Sequence, residues 1–295
     1  MTGANSGLGF ETAPALTRSG ACVVLACRDR ARGGDALARI RGEVPDGDIR
    51  VDPLDLADLA SVRKFASGFS AAHAGLDLLV NNAGVMAIPR RETADGFEMQ
   101  FGTNHLGHFA LTGLLLDRLL ARPGARVVTV SSTAARMGRI RFDDLQGSRH
   151  YGKWTAYGQS NLSNQLFALE LDRRATELGM DLVSVAAHPG YAATNLQTVG
   201  PRMSGSGIAE RLNGLSNTVF AQPAAAGALP SLYGATAPEV RGGQYFGPDR
   251  LFGQRGHPKP VPFVRTAMDS GTARRLWEVS EELTGVRFGA FDSDG

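Results

Sequence analysis

The sequence is poor in cysteine, in lysine and in long apolar runs, and each scarcity excludes a kind of protein. Its 295 residues include two cysteines, Cys22 and Cys27. They lie an odd number of positions apart on one predicted strand, so they point to opposite faces. They match neither a metal motif nor a disulfide, and we expect a reducing compartment. Since the chain has no signal peptide and no apolar run of about 18 residues, the sequence predicts a soluble cytoplasmic protein.

The charge is close to balanced. Lysine and arginine together number 31 against 29 acidic residues, which gives a net charge of +2. So small a net charge argues against a dedicated nucleic-acid surface. Lysine occurs only at Lys64, Lys153 and Lys259. The composition, 43% hydrophobic and 20% charged, is that of a globular protein with ample material for a core.

Apolar strands and amphipathic helices alternate along the first two thirds of the chain. The strand-like runs are ACVVLAC, IRVDPLDL, LDLLVNNAG, the segment from Val127 and the segment from Asp181 to about His188. Helical patterns cover about residues 29–43, 58–73 and 95–121, and a further helix opens at Tyr157. This alternation indicates an α/β fold with a doubly wound parallel sheet, Rossmann-like, in a single domain spanning residues 1–295.

The last third has weaker patterns. Residues 195–220 are rich in glycine, serine and asparagine and hold few charges, so we predict a mobile lid over a lipophilic substrate. Its apolar side chains are Leu196, Val199, Met203, Ile208, Leu212 and Leu215. A helix near 222–236, a short strand at GGQYFGP, a loop rich in proline and glycine and a final helix from about Thr266 to Leu283 follow. Residues from about 240 to 295 form a C-terminal extension of the same domain.

Glycines stand ahead of the first helical pattern. Glycine lets a backbone turn tightly and approach a pyrophosphate, and a helix N-terminus supplies N–H donors and a positive dipole end. The pattern predicts a dinucleotide phosphate site, with a glycine-rich turn that binds nothing as the alternative. The residues expected to contact the dinucleotide here are Gly3, Asn5, Ser6, Gly7, Leu8 and Gly9.

Arg28 directly follows the strand ACVVLAC. A dinucleotide site places an acidic residue there for the ribose 2′-hydroxyl of NAD(H), or a basic one for the 2′-phosphate of NADP(H). Because a guanidinium suits phosphate and Ser6 could assist, NADP(H) is favoured over NAD(H). The adjacent Asp29 leaves NAD(H) as an alternative coenzyme. Arg28 could also be a surface arginine that contacts no ligand.

A serine at a strand end and a tyrosine at the start of a helix are the candidates for chemistry. The apolar run from Val127 ends at Ser131 and Ser132, and Tyr157 opens the next helical pattern. A phenol that faces a hydroxyl suits proton transfer to a carbonyl oxygen. A packing tyrosine and an ordinary strand-end serine are the alternative.

These motifs together resemble the short-chain dehydrogenase/reductase family, in particular its retinol-dehydrogenase-like members, over essentially the whole chain. The resemblance implies an oxidoreductase that moves a hydride between a nicotinamide and a carbonyl or alcohol substrate. It implies that Ser132 hydrogen-bonds the substrate oxygen and that Tyr157 donates or removes the proton. Asn104 lies in a predicted helix, where asparagine is unfavourable, and takes the family role of holding a water in the proton relay.

The resemblance also assigns residues around the coenzyme. Asp55 and Leu56 resemble the pair that contacts adenine, although Asp55 alone could be a helix N-cap. The N-N-A-G signature that begins at Asn81 resembles the turn over the adenosine side, and the H-P-G-x-x-x-T segment from His188 resembles the loop beside the nicotinamide carboxamide. The coenzyme residues implied by these two motifs are Asn82, Ala83, Gly84, Pro189, Gly190, Ala192 and Thr194.

Two histidines, His105 and His108, lie close to Asn104. They could share a metal, but the sequence suggests no third ligand. We expect both to have packing or supporting roles.

Asn161 is the departure from the family pattern. The family motif is Tyr-x-x-x-Lys, and here asparagine stands in the place of that lysine. The lysine holds the nicotinamide ribose and lowers the tyrosine pKa by its charge, whereas asparagine can only do the first. We therefore expect carbonyl reduction to be favoured, with alcohol oxidation only at alkaline pH. Lys153, which we expect to precede the helix, is an alternative source of that charge.

The beginning of the chain also differs from the family. A phosphate loop follows a first strand, which is central in the family, and here only Met1 and Thr2 precede Gly3. We expect this first strand to be truncated, and hypothesise that Met1 stands where relatives have a valine whose GTG codon was read as a start.

The favoured function is an NADP(H)-dependent oxidoreductase acting on a small to medium-sized, lipophilic carbonyl or alcohol. The alternative is a dinucleotide-binding protein with little turnover, serving as a sensor or assembly partner, because Asn161 replaces the lysine. Family members often form homodimers through their long helices, although the insert before Tyr157 could obstruct this.

Overall fold

The computed structural model describes residues 1–191 and 222–291, and its strands and helices alternate as predicted. The strands are β1 Val23–Cys27, β2 Ile49–Pro53, β3 Leu78–Asn81, β4 Ala125–Val130, β5 Leu182–Ala187, β6 Tyr245–Arg250 and β7 Arg255–Pro260. The α-helices are α1 Gly7–Arg18, α2 Arg30–Glu43, α3 Leu59–Ala72, α4 Met99–Phe101, α5 Gly107–Leu114, α6 Leu116–Leu120, α7 Lys153–Glu177, α8 Ala224–Thr236 and α9 Ser270–Thr284. The predicted lid, 195–220, lies outside the described residues.

The strands form a mostly parallel sheet in two portions. β1 pairs with β2 in one, and the other runs in the order β3-β4-β5-β6-β7. The pairs from β3 to β6 are parallel, and β7 is antiparallel to β6. Since helices separate the parallel strands along the chain, this confirms the predicted α/β fold in a single domain.

Residues 1–3 lie between the two portions and bond to both. The Met1 carbonyl accepts from the Ala26 N–H at 2.9 Å, and Gly3 donates to the Ala26 carbonyl at 3.0 Å. Thr2 donates to the Val80 carbonyl at 3.1 Å on the other side. These residues therefore hold β1 beside β3.

The C-terminal ends of the parallel strands come together at one edge. Asn81 is level with Thr129, and Val130 is level with Ala187. The polar segments that follow these strands therefore share that edge, where ligands bind in sheets of this kind.

The helix predicted over 95–121 begins later and is interrupted. Glu98 caps its start, since the carboxylate accepts from the N–H groups of Gln100 and Phe101. A π-helical turn, Gly102–Leu106, then separates α4 from α5. Such wide turns insert a residue into a helix and frequently mark functional sites.

Helix α7 begins earlier than predicted. Its first residue is Lys153, so the expectation that Lys153 precedes the helix is wrong. Tyr157 therefore lies one turn inside the helix rather than at its start. An aromatic cluster holds α7 in place: the ring of Phe167 lies 5.7 Å from that of Phe109 on α5 and 5.8 Å from that of Trp277 on α9.

The C-terminal segment is more ordered than predicted. The expected proline- and glycine-rich loop contains β7, whose prolines are tolerated because it pairs on one side only. The last long helix, α9, starts at Ser270 and not near Thr266, since Asp269 caps it by accepting from Gly271 N–H. Of the helices in the described ranges, none is long and apolar enough to cross a membrane.

Candidate active site

The glycine loop leads directly into α1. Gly3 has φ +63°, and a Cβ there would lie 2.8 Å from the Ala83 Cα. A Cβ on Gly9 would lie 2.5 Å from the Gly3 carbonyl oxygen. The helix starts at Gly7, and its N-cap, Ser6, makes no side-chain capping bond. Asn5 and Leu8 belong to the same turn, which leaves N–H groups of the first helical turn for an anion.

Thr2 joins this loop to the segment after β3. Its hydroxyl accepts from the N–H groups of Asn82 and Ala83, each at 2.9 Å, and the Asn82 amide donates to the Thr2 carbonyl at 2.9 Å. Gly84 follows, and a Cβ there would lie 3.1 Å from the Asn104 Oδ1. The N-N-A-G segment therefore packs against both the glycine loop and Asn104.

Arg28 is exposed at the end of β1. Its neighbour Asp29 is the N-cap of α2, where the carboxylate accepts from Arg32 N–H at 3.1 Å and pairs with the Arg32 guanidinium at 3.5 Å. The end of β1 thus carries an exposed cation, while the adjacent carboxylate caps a helix.

Asp55 and Leu56 follow β2. The Asp55 carboxylate accepts from Ala57 N–H at 3.0 Å, and the N-cap of α3 is Asp58. The alternative that Asp55 caps this helix is therefore wrong. Leu56 is buried, and its backbone lies so close to Gly107 that no larger residue fits there.

Ser132, Tyr157 and Asn161 converge at the end of β4. Ser132 begins a 3-10 helix, Thr133–Met137, and its hydroxyl accepts from Ala134 N–H at 3.2 Å. Burial raises the pKa of the Tyr157 phenol, and hydrogen bonds with the side chains of Ser132 and Asn161 oppose that rise. The predicted serine and tyrosine are therefore brought into contact.

Asn161 also bonds to backbone and to the end of β4. Its side-chain amide donates to the Tyr157 carbonyl at 2.9 Å, and its backbone carbonyl accepts from the Ser131 hydroxyl at 2.9 Å. Lys153, the alternative source of a charge, is exposed at the N-terminus of α7. Within the described part of the chain, no cation contributes to the pKa shift of Tyr157.

Asn104 lies in the π-helical turn, and its side chain is fully engaged. Oδ1 accepts from Val85 N–H at 2.8 Å, while Nδ2 donates to the Val85 carbonyl at 2.9 Å and to the Ser160 hydroxyl at 3.0 Å. Ser160 in turn donates to the Tyr157 carbonyl at 3.0 Å. Asn104 is thus linked to the tyrosine through Ser160, a residue that was not predicted because nothing in its pattern marks it.

Both histidines near Asn104 are buried and bond to hydroxyl groups. His105 Nε2 lies 2.9 Å from the Ser280 hydroxyl, and His108 Nε2 lies 2.9 Å from that of Thr2. Burial lowers the pKa of His105 to about 3 and that of His108 to about 4. In the described residues they belong to no group that could hold a metal ion.

The segment after β5 turns sharply. Gly190 has φ +65° and donates from its N–H to His188 Nδ1 at 3.2 Å. The Pro189 carbonyl accepts from the Gln222 amide at 2.7 Å. Ala192 and Thr194 lie outside the described residues.

A second phenol lies behind the catalytic candidates. Tyr245 is buried, and burial raises the pKa of its phenol while hydrogen bonds with Ser131 and Gln165 oppose that rise. The negative charge of an ionised Tyr157 would raise this pKa further. Tyr245 was not predicted from the sequence, because a tyrosine in a short strand carries no local sign of what it faces.

Known proteins are similar to this chain in sequence and in fold. Residues 1–201 match the family model described as short chain dehydrogenase. Retinol dehydrogenase 14 of Mus musculus is 41% identical over 298 residues, covering 97% of this chain and 85% of its own. Polyprenol dehydrogenase of Mus musculus is 42% identical over 301 residues, covering 100% of this chain and 85% of its own.

A crystal structure of an uncharacterised protein from Mycobacterium paratuberculosis superposes with a TM-score of 0.80 at 45% identity, covering 97% of this chain and 92% of its own. The sequence and the fold thus agree along nearly the entire length. The chain therefore belongs to the short-chain dehydrogenase/reductase family of oxidoreductases, within its retinol-dehydrogenase-like group.

Proposed function

We propose that this protein is an NADP(H)-dependent oxidoreductase that reduces a lipophilic carbonyl substrate, with Tyr157 as the proton donor. The contact between Tyr157 and Ser132 carries the proposal. The Ser132 side chain lies close enough to the Tyr157 phenol to lower its pKa, against the rise that burial causes. A substrate oxygen placed between them would receive two hydrogen bonds, one from each hydroxyl.

The direction of reaction follows from the state of the phenol. Because burial raises its pKa above the ordinary value of 10.0, Tyr157 is protonated at neutral pH. A protonated phenol can donate to the oxygen of a carbonyl that is being reduced. Alcohol oxidation instead needs the phenolate, which forms only in alkaline solution, so reduction is the favoured direction.

The residues at the coenzyme end fit NADP(H). The missing Cβ atoms of Gly3 and Gly9 leave the loop room to turn under α1, whose N-terminus would face the pyrophosphate. Arg28 would hold the 2′-phosphate, and the uncommitted Ser6 hydroxyl would add a hydrogen bond. Asp29 is engaged at α2 and is therefore a poor ribose ligand. When bound, NADPH supplies the hydride.

Apolar side chains beside the tyrosine support a lipophilic substrate. Trp154 is 49% exposed, and its ring lies 6.2 Å from that of Tyr157. Met137, at the end of the 3-10 helix that Ser132 begins, is 59% exposed. The relatives named for retinol and polyprenol dehydrogenation point to the same substrate class.

The direct test is NADPH oxidation with a panel of aldehydes and ketones of increasing chain length. We expect turnover that Tyr157→Phe abolishes and Ser132→Ala lowers strongly, while NADPH binding, followed by coenzyme fluorescence, is retained. Activity that survives Tyr157→Phe would refute the proposed role of the phenol.

A second function is supported by Asn161. The usual charge beside the tyrosine is absent, and the amide is bonded to the Tyr157 backbone carbonyl. A protein that binds NADPH with little turnover, as a sensor or assembly partner, is consistent with that contact. NADPH binding by both the natural chain and Asn161→Lys, with no turnover in either, would favour this function.

A further inference from the structure

A continuous run of buried hydrogen bonds connects the glycine loop to the helix of Tyr157. The Thr2 hydroxyl lies 2.9 Å from His108 Nε2, and His108 Nδ1 lies 2.9 Å from the Asn104 carbonyl oxygen. The Asn104 amide donates to the Ser160 hydroxyl at 3.0 Å, which donates to the Tyr157 carbonyl at 3.0 Å. We call this run the Thr2–Tyr157 chain.

The neighbours of His108 determine its tautomer. The Asn104 carbonyl can only accept, so Nδ1 carries the proton. Since burial lowers the pKa of His108 to about 4, the ring is neutral at physiological pH and Nε2 is an acceptor. Thr2 therefore donates its one hydroxyl proton to Nε2, while its lone pairs accept from Asn82 and Ala83. The other possible acceptor, the Val80 carbonyl, is more distant at 3.5 Å.

This assignment gives each hydrogen bond of the Thr2–Tyr157 chain a definite donor and a definite acceptor. The Ser160 hydroxyl accepts from Asn104 and donates to Tyr157, so its single proton is also used. Substituting a residue of the Thr2–Tyr157 chain is therefore costly, because the loss of one partner leaves a buried polar group without a hydrogen bond.

His105, a second buried histidine in the same segment, makes no comparable connection to the glycine loop among the described contacts. It is as buried as His108, and its pKa is also lowered by burial. Its Nε2, however, bonds the Ser280 hydroxyl on α9, and its ring packs near Phe101 and Phe167. The two residues have the same type and burial but different connections.

We propose that His108 is a positioning residue that fixes the helix of Tyr157 relative to the coenzyme loop, acting through the Thr2–Tyr157 chain. This rests on the proposed function, in which Tyr157 must donate to an oxygen next to the bound nicotinamide. The ring bonds Thr2 and the Asn104 backbone directly. It adds to the second connection between these two residues, which runs through the N-N-A-G segment and Val85.

Two substitutions cut the chain on either side of the ring. The amide of His108→Asn overlaps the Nδ1 position, so it keeps the bond to Asn104 and loses the one to Thr2. The amide of His108→Gln overlaps the Nε2 position and does the reverse. His105→Asn and His105→Gln are the matched controls.

We expect both His108 variants to lower kcat by about tenfold to a hundredfold at saturating NADPH, since small displacements of a reacting group have effects of that size. The dissociation constant for NADPH should change less than about threefold, because the loop itself is intact. The His105 variants should lose thermal stability while keeping kcat. Wild-type kcat in both His108 variants, or equal kcat losses in the His105 variants, would overturn the proposal.

Hydrogen exchange of the free protein gives a second measurement that needs no turnover. In the His108 variants, peptides covering residues 153–161 should exchange faster, whereas His105→Asn, which loses the bond to Ser280, should loosen residues 270–284 instead. If the wild-type chain shows no turnover but this pattern is found, the proposed function fails and the positioning role stands. Unchanged exchange over 153–161 in both His108 variants refutes the positioning role.

Discussion

The side-chain amide of Asn161 donates to the backbone carbonyl of Tyr157, one turn earlier in the same helix, at 2.9 Å. The residue that replaces the family lysine therefore bonds to the tyrosine's backbone as well as lying beside its phenol. A hydrogen bond from a neutral amide stabilises a phenolate less than a full positive charge does. The pKa of Tyr157 accordingly remains above its ordinary value.

Asn161→Lys should restore that charge. The pKa of Tyr157 should fall, and alcohol oxidation near neutral pH should rise by about 10²-fold or more, because proton transfer by a positioned group contributes about 10²–10⁴. Asn161→Gln is the control, since it enlarges the side chain without adding charge. Circular dichroism would check that both variants are folded. Equal rates of alcohol oxidation for the two would then show that the missing charge does not limit oxidation in the natural chain.

The pH dependence of the natural chain should differ between the two directions. Because the pKa of Tyr157 is raised, the reductive kcat should be flat across the neutral range and decline only in strongly alkaline solution. The oxidative kcat should climb with pH over the same alkaline range. Steady-state profiles in both directions test this, and an oxidation optimum near neutrality would contradict it.

Arg28→Ser should weaken NADPH binding selectively. Removing a charge-assisted phosphate contact costs about 1.5–3 kcal/mol, or roughly a tenfold to hundredfold rise in the dissociation constant. NADH has no 2′-phosphate, so its affinity should not change. Arg32→Ser is the control, since Arg32 is also exposed but pairs with Asp29. Equal losses for the two coenzymes would remove the basis for assigning NADP(H).

Gly9→Ala should disrupt the glycine loop. The new Cβ would lie 2.5 Å from the Gly3 carbonyl oxygen and 2.7 Å from Asn82 Nδ2, so the bond from Asn82 to Thr2 would have to give way. We expect a loss of about 1–3 kcal/mol in unfolding free energy, with weakened NADPH binding. Urea denaturation and coenzyme fluorescence measure the two effects.

Gly34→Ala is the matched control for that substitution. Gly34 lies in α2, and a Cβ there would have no neighbouring atom within 4 Å. Alanine at this position should leave NADPH binding unchanged and stabilise the helix by about 0.5–1 kcal/mol. Comparable losses in both variants would mean that close packing at Gly9 is not the cause.

The buried histidines should make the protein sensitive to acid. The pKa of His105 is lowered from 6.5 to about 3 and that of His108 to about 4. Below pH 6.5, the pKa of a histidine in the unfolded chain, the unfolded chain binds more protons than the folded one. Stability is therefore full above pH 6.5 and is lost as the pH falls, by about 1.4 kcal/mol per unit for each histidine.

His105→Gln isolates one of these contributions, because the amide can keep the bond to Ser280 without titrating. Urea midpoints at about pH 7 and about pH 5 should differ less in this variant than in the natural chain. If the urea midpoints of the variant and of the natural chain fell equally between these two pH values, His105 would not be taking up a proton on unfolding.

Local patterns in the chain were enough to predict the fold and to propose the residues of the candidate site. Apolar strands between helical segments allow few arrangements other than a doubly wound sheet, and the residues after β1, β3, β4 and β5 could be assigned to one edge because parallel strands end there. Ser132 and Tyr157 were recognised from spacing and resemblance, and the structure places their side chains in contact.

The partner of each buried polar group, in contrast, became known only from the packed structure. Nothing in the local pattern shows that His108 bonds Thr2, 106 residues away, while His105 bonds Ser280, 175 residues away. The π-helical turn at Gly102–Leu106 and the strand β7 could likewise not be predicted from the sequence, because both depend on contacts with distant segments. Local sequence specifies which elements form, whereas hydrogen-bond partners are set only when those elements pack and each buried donor must find an acceptor.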